Sequence, residues 1–325
     1  MKYLLRQIGL YLLAAWASLT LNFILPRMMP GDPVTALIAR MHGRLKPDEI
    51  NAIKQAYGFT SGPLLDQYFQ YVSHALRGDF GISISAYPAK VSTIIATGFG
   101  WTLILGLVTL VISFVLGTAL GVVIAWKRSG FLDSTLPGLT GFVGSFPYFW
   151  LAMVSLYFLG FKFGWFPMSH AYSDYLSPGF NWEYISSVLQ HMVLPAGTII
   201  LVSVGGWMMG MRCTMIAVLD EDYITMAEAK GLSQRRVMFQ YAMRNAILPN
   251  ITQFGMSIGF ILAGQLLTEM VFSYPGLGFY LVRSVTTLDY PLMQALFLMI
   301  TLAVLGANFL VDILYVQLDP RVRVS

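Results

Sequence analysis

The sequence predicts an all-α membrane protein with six transmembrane helices, and two observations support that fold class. Hydrophobic residues make up 56% of its 325 residues and charged residues only 11%, whereas soluble domains are about 25% charged. Apolar runs long enough to cross a bilayer recur along the chain, separated by polar intervals. The two longest polar intervals predict an extracytoplasmic helical insertion after the first helix and a cytoplasmic helical hairpin between helices four and five.

The first transmembrane helix is predicted within residues 1–30. Its apolar run, Ile8 to Leu25, follows Lys2 and Arg6. A cleaved signal peptide is the alternative, because Ala15-Trp16-Ala17 resembles a cleavage site. The apolar run continues past that site to spanning length, which favours an uncleaved helix. Its basic flank places the N-terminus in the cytoplasm.

Residues 31–97 are polar and are predicted to form the extracytoplasmic insertion, with two amphipathic helices. The first follows Pro47 and ends at Gly58. The second has an apolar face at helical spacing, made of Leu65, Phe69, Val72 and Leu76. We expect the insertion to pack over the helix ends and to help receive a partner.

Residues 98–325 are predicted to form a core of five helices. Four of them are expected as plain spans at about 99–126, 134–160, 192–217 and 250–272, and the last at about 290–316. This order puts three segments in the cytoplasm, namely 127–133, 218–249 and 317–325. The two shorter outer loops contain only Lys162 and Arg283, so Lys and Arg are concentrated inside, as the positive-inside rule requires. The net charge of +4 therefore points to the cytoplasmic membrane face, not to nucleic acid.

The interval 218–249 is predicted to fold as a hairpin of two short helices. Acidic residues at 220–222 suit the start of the first helix, and Gly231 is placed to end it. Ile224, Ala227 and Gly231 share one face of small residues, which suits docking into a groove of another protein. A solvated basic loop between two membrane helices is the alternative.

The same interval resembles the cytoplasmic signature loop of ABC-importer permeases, most closely the oligopeptide/dipeptide/nickel subgroup. The subgroup reads Ala-x-Ala-Lys-Gly-Leu, a paired Arg, then Arg-Asn-Ala-x-Leu-Pro. The matching residues are Ala227, Ala229, Lys230, Gly231, Leu232, Arg235, Arg236, Arg244, Asn245, Ala246, Leu248 and Pro249. Of the general Glu-Ala-Ala triplet only Ala227 is kept, and Glu228 lies one residue outside it. The resemblance covers nearly the whole chain and recurs at residues 30–33, 78–83, 274–278 and 289–291.

This resemblance implies the permease subunit of a binding-protein-dependent ABC importer, multi-pass in a prokaryotic cytoplasmic (inner) membrane, with both termini cytoplasmic. It implies a homologous second permease subunit, two ATP-binding subunits and an extracytoplasmic substrate-binding protein as partners, besides membrane lipid. The chain itself is expected to be no enzyme and to hold no cofactor, because it lacks a G-x-x-x-x-G-K-[ST] phosphate loop. The hairpin then becomes a coupling helix. The residues expected to couple it to an ATPase are Tyr223, Ala227, Glu228, Ala229 and Gly231.

Polar residues within predicted spans are candidates for the translocation pathway. Gln265 and Glu269 lie four apart, on one face near the outer end of span five, and are expected to line the route. A charge at the bilayer centre costs about 2.5–3.5 kcal/mol on insertion scales, so it faces a cavity or a partner. Hydrogen bonding between helices is the structural alternative. Arg212 and Asp312 lie near inner ends and are expected to reach the interface.

The same residues also bear on other functions and on the substrate. A stand-alone secondary transporter or channel is the main alternative, but the chain shows no internal repeat and few mid-membrane charges. An intramembrane hydrolase is disfavoured, because the nominal G-x-S-x-G at Gly255–Gly259 has no later His. Without a His or Cys cluster for nickel, short oligopeptides and oligosaccharides stand level as cargo. Aromatic residues that could stack on sugars, but also suit any membrane interface, are Tyr148, Phe149, Trp150, Trp165 and Trp182.

Overall fold

This computed structural model describes residues 2–28, 63–128 and 130–318. Its secondary-structure elements are helices. The all-helical class is therefore confirmed for those residues. In chain order the longer helices are α1 (Lys2–Met28), α2 (Leu64–Leu76), α3 (Val91–Trp126), α4 (Phe131–Gly144), α5 (Tyr148–Ser155) and α6 (Trp182–Leu219). They are followed by α7 (Asp222–Ala229), α8 (Gln234–Arg236), α9 (Arg244–Ala246), α10 (Leu248–Gly264), α11 (Leu266–Val271), α12 (Leu277–Thr286) and α13 (Tyr290–Leu318). Two π-helical stretches, Leu156–Lys162 and Val237–Met243, continue α5 and α8.

Among the described residues, four helices are long and apolar enough to cross a membrane: α1, α3, α6 and α13. A fifth span results if α4 and α5 count together, although their axes differ by 89°. The plain span expected at 134–160 is therefore wrong. The span expected at 250–272 is also interrupted, because α10 ends at Gly264 and α11 begins at Leu266. The helix expected after Pro47 lies outside the described residues.

One compact unit comprises Met1–Thr102, Leu262–Leu266 and Pro275–Ser325. Within it, α1 and α12 both pack against α13. Its buried core includes Val91, Leu277, Leu292 and Leu296. The backbone N–H of Leu277 donates to Thr102 Oγ1 at 2.8 Å, which fixes the start of α12 on α3.

Helix α2 forms as predicted, but its apolar face stays exposed. Leu65, Phe69 and Leu76 face outward. The helix packs on α1 instead through Tyr68, whose ring lies 5.3 Å from that of Phe23. Tyr68 thus docks this helix, because its ring buries apolar area while its hydroxyl lies 2.9 Å from that of Thr20.

The second unit comprises Leu103–Ile261 and Leu267–Tyr274. In it, α3 packs on α6 through Gly117 and Gly121. A methyl group on Gly121 would lie 2.6 Å from the carbonyl oxygen of Met208, so a larger side chain cannot fit there. Close backbone approach through glycine is the usual way that membrane helices associate. This packing positions the C-terminal ends of α3 and α6, on which α7 rests.

Candidate functional site

The hairpin predicted in the interval 218–249 is present, and Gly231 ends its first helix. Gly231 has φ +74°, in the left-handed region that favours glycine. Its N–H donates to the carbonyl oxygen of Glu228 at 2.8 Å, and the N–H of Leu232 donates to that of Ala227 at 3.4 Å. These two bonds form a Schellman motif, which satisfies the last carbonyls of α7. The role predicted for Gly231 as a helix stop is confirmed.

One side of α7 is built into the protein core. Ile224 and Ala227 are each 3% exposed and belong to one apolar cluster with Met211 and Met215 of α6. Val122 and Ala125 of α3 belong to the same cluster. A close-packed interior transmits strain, so this cluster connects α7 mechanically to the ends of α3 and α6.

The opposite side of α7 is exposed. Tyr223, Glu228, Ala229 and Gly231 all lie at the surface, as their predicted coupling role requires. Ala227 does not, since it lies three residues from Ile224 and shares its buried side. Contrary to the prediction, Ala227 and Gly231 therefore do not share one face. Ala227 packs in the protein core beneath α7, whereas Gly231 is exposed.

Met226 belongs to the exposed face but was absent from the sequence prediction. It lies three residues after Tyr223 and four before Lys230, so the three side chains share one helical side, and all are exposed. The spacing from Tyr223 and Lys230 is the sequence signal that places Met226 on this face. Its large side chain does not fit the small-residue pattern from which the docking face was predicted.

A pocket of about 490 Å³ lies beside α7, lined by Tyr223, Gln240, Tyr241, Arg244 and Asn245. Asn245 Nδ2 donates to Tyr223 Oη at 2.9 Å, so the Arg-Asn-Ala segment holds the two arms of the hairpin together. Among the described residues, the lining has one cationic group, Arg244, and no carboxylate. It therefore suits a hydrogen-bonding or anionic group of a protein partner. Across the described ranges, no group of three or more His, Cys, Asp or Glu side chains could hold a metal ion.

Arg212 forms an ion pair inside its unit, and the expectation that it reaches the membrane interface stays a prediction. Its Nε donates to Asp133 Oδ1 at 2.7 Å, joining α6 to the first turn of α4. Both side chains are largely shielded. A cation among apolar helices pairs with an opposite charge where one is available. The side chain of Asp312 lies outside the described residues.

Gln265 and Glu269 are both buried, 6% and 1% exposed. Gln265 occupies the interruption between α10 and α11, and Glu269 lies within α11. The continuous helix expected to carry them on one face is thus absent. Their role in the pathway stays a prediction, and it requires α11 to move.

Sequence comparisons relate the chain to known transport proteins. The family described as "Binding-protein-dependent transport system inner membrane component" matches residues 117–324. The chain is 33% identical to the dipeptide transport system permease protein DppB of Escherichia coli (strain K12), over 99% of both chains. It is 32% identical to the di/tripeptide transport system permease protein DppB of Pseudomonas aeruginosa (strain UCBPP-PA14), over 99% of both chains. It is also 32% identical to the oligopeptide transport system permease protein AppB of Bacillus subtilis (strain 168), over 93% of both chains.

The family match covers more than half of the chain, and the relatives align over nearly all of it. The resemblance seen in the sequence is therefore confirmed. The hairpin geometry fits such a protein, with one side built into the membrane helices and the other open to a partner. This chain therefore belongs to the family of inner membrane components of binding-protein-dependent transport systems.

Proposed function

We propose that this chain forms half of the translocation pathway of a peptide importer and takes its energy from ATP hydrolysis in separate subunits. The observation that carries the proposal is the two-sided α7. Its inner side, with Ile224 and Ala227, is packed on α3 and α6, and its outer side is free for a partner. Family membership supports the transport role.

Six spans, with both termini in the cytoplasm, complete the proposed architecture. The four continuous helices α1, α3, α6 and α13 are joined by two interrupted ones, α4 with α5 and α10 with α11. Alternation from a cytoplasmic N-terminus then puts the hairpin on the cytoplasmic side. The concentration of Lys and Arg in 127–133, 218–249 and 317–325 supports this orientation.

Energy coupling would run through α7. An ATP-binding subunit would receive the exposed face that includes Tyr223, Met226, Glu228, Ala229 and Gly231, with Arg244 and Asn245 at its edge. ATP-driven closure of that subunit would push α7, and the buried Ala227 would pass the movement to α3 and α6. The attached helices would then rock between inward- and outward-facing states. A homologous second permease subunit, a second ATP-binding subunit and an extracytoplasmic binding protein complete the assembly.

Short peptides are the inferred cargo. The relatives in the comparisons carry names of dipeptide, di/tripeptide and oligopeptide transport. Oligosaccharides are the second candidate, supported only by exposed aromatic side chains such as Trp150, Trp165 and Trp182. Aromatic side chains are common at any membrane interface, so they do not favour sugars.

Reconstitution tests this function. The chain would be assembled with its second permease and two ATP-binding subunits in proteoliposomes, and the binding protein added outside. We expect ATP-dependent uptake of a labelled tripeptide, ATP hydrolysis stimulated by the peptide-loaded binding protein, and no hydrolysis by this chain alone. Uptake by this chain alone, driven by an ion gradient, would establish the secondary transporter instead.

A further inference from the structure

The segment between α4 and α5 interrupts a membrane span. The two helix axes differ by 89°, and the residues between them are Ser145, Phe146 and Pro147. Pro147 has no N–H to continue the helical ladder, and the residue before a proline is disfavoured in the helical conformation. Ser145 closes the end of α4, since its Oγ donates to the carbonyl oxygen of Phe142 at 2.6 Å.

This interruption lies near the middle of α6, against which α4 packs in antiparallel orientation. Asp133 at the start of α4 pairs with Arg212, and a methyl group on Gly205 would lie 2.9 Å from Thr140 Cβ. At the end of α4, a methyl group on Gly144 would lie 3.7 Å from the carbonyl oxygen of Val202.

Val202 stands close to the centre of α6, which runs from Trp182 to Leu219. The 38 residues of α6 give it a length of about 57 Å. The hydrocarbon core of a bilayer is about 30 Å thick. The span of α6 is predicted at about 192–217, so Val202, and the interruption beside it, lie at membrane depth.

The interruption is also open at the surface of the chain. Gly144, Ser145 and Pro147 are exposed, and Trp150 is 43% exposed. Helix α4, described along its whole length, has no buried residue. Lipid cannot cover such a surface, because hydrocarbon offers no hydrogen bonds to irregular backbone. Non-helical backbone at membrane depth is tolerated only inside protein or along a water-filled cavity.

We propose that the surface of residues 144–150 lines the water-filled translocation route and contacts the peptide in transit. The inference rests on the proposed importer function and adds the place where the cargo passes. Ser145 Oγ, which donates to Phe142, can still accept a hydrogen bond from a peptide N–H. The rings of Phe146 and Trp150 stack 5.1 Å apart at an interplanar angle of 15°, and their faces suit the flat amide groups and apolar side chains of a peptide.

The segment 144–150 reads Gly-Ser-Phe-Pro-Tyr-Phe-Trp and contains no ionised side chain. A contact surface of this kind recognises what all short peptides share, which is a polar main chain. It does not select for charge. Peptides of opposite charge are thus expected to respond alike when the segment is altered.

Cysteine accessibility in the complete reconstituted complex tests the proposal. The exposed Cys213 is first replaced by Ser, and Ser145→Cys is compared with Val115→Cys. Val115 is 55% exposed on the regular helix α3. Val115 lies two residues before Gly117 on α3. A methyl group on Gly117 would lie 2.7 Å from the carbonyl oxygen of Val204 on α6. Val115 therefore lies at about the same height along α6 as Val202. The probe is a positively charged methanethiosulfonate, which reacts with the thiolate and hence needs water.

We expect Ser145→Cys to react about tenfold faster than Val115→Cys, and trialanine transport to slow that reaction. Equal, slow reaction of both variants, in a complex whose ATP hydrolysis still responds to loaded binding protein, would place residue 145 in lipid or in a closed protein interface. That result overturns the lining but leaves the importer function intact. Failure of the importer function would appear separately, as absent stimulation in the unlabelled parent complex.

A second pair of variants keeps the proposal testable if Ser145→Cys assembles poorly. Trp150→Leu removes the stacked ring, whereas Trp150→Phe retains an aromatic face. We expect Trp150→Leu to raise the KM for trialanine uptake about threefold, with an unchanged melting temperature, and Trp150→Phe to stay near the parent value. Unchanged uptake by Trp150→Leu would contradict a contact with the cargo.

Discussion

The carboxylate of Asp289 accepts a 2.5 Å hydrogen bond from the hydroxyl of Ser83, and both residues are fully buried. The same Asp289 Oδ2 accepts from the Ser85 hydroxyl and from the Ser85 N–H, each at 2.8 Å. Its Oδ1 accepts from the N–H of Leu292 at 3.3 Å, at the start of α13. Two segments singled out by the sequence resemblance, 78–83 and 289–291, are thus one hydrogen-bonded structure.

Asp289→Asn should destabilise the protein. The substitution removes the negative charge and turns an amide donor toward groups that themselves donate, which we expect to cost about 2 kcal/mol. The measurement is the melting temperature of the purified protein in detergent. Asp79→Asn is the matched control, since Asp79 is exposed, lies 3.4 Å from His74 and accepts a hydrogen bond from the N–H of Gly81 at 3.2 Å. Exposed pairs contribute about 0–1 kcal/mol. Equal melting temperatures for the two variants would contradict a stabilising role for Asp289.

The pair of Arg212 and Asp133 should behave as a shielded ion pair. Asp133→Asn leaves the guanidinium without its counter-charge, so we expect a loss of up to about 3 kcal/mol. The double variant Asp133→Asn with Arg212→Gln should recover part of that loss, because no lone charge remains. Arg128→Gln is the control. Its pair with Asp220 is exposed and 3.4 Å long, so its loss should stay below about 1 kcal/mol. Strictly additive losses in the double variant would show that the two side chains do not interact.

Glu269→Gln separates a pathway residue from a scaffold residue. Burial of Glu269 favours the structural alternative. The pKa of Tyr274 is raised, mainly by burial of the Tyr274 side chain and then by the negative charge of Glu269. We therefore expect a lowered melting temperature and an equal loss of uptake for acidic, neutral and basic tripeptides. An unchanged melting temperature with unequal losses among these peptides would return Glu269 to the translocation route.

The orientation of the chain can be tested with single cysteines in a Cys213→Ser background. Ser233 of the hairpin and Ser177 of the loop before α6 are both exposed. In right-side-out vesicles, a membrane-impermeant maleimide should label Ser177→Cys from outside and Ser233→Cys only after permeabilisation. Labelling of both from the same side would exclude six spans with cytoplasmic termini.

Local sequence signals predicted the local parts of this structure and missed those decided by distant contacts. Gly231 could be assigned because one residue type suits the left-handed end of a helix. The separation of α7 into a buried and an exposed side could not be predicted, since small apolar residues such as Ala227 fit a protein core and a partner's groove equally well. Arg212 found a partner 79 residues away, which no periodicity reveals. The bend at Pro147 did have a signal, but an uninterrupted apolar run concealed it.

Gly231 offers the most direct test of coupling through α7. No atom of the described residues would lie within 4 Å of a Cβ at this position, so a larger side chain projects outward into the space that an ATP-binding subunit would occupy. Asn tolerates the left-handed conformation better than other side chains, which makes Gly231→Asn the control for backbone strain. Both variants would be assembled with their partner subunits in proteoliposomes.

The decisive measurement is ATP hydrolysis by the assembled complex with and without peptide-loaded binding protein. We expect Gly231→Asn to keep the stimulation, and Gly231→Trp to abolish it while the chain remains in the membrane with the melting temperature of the Asn variant. Full stimulation in the Gly231→Trp complex would contradict energy coupling through this face of α7.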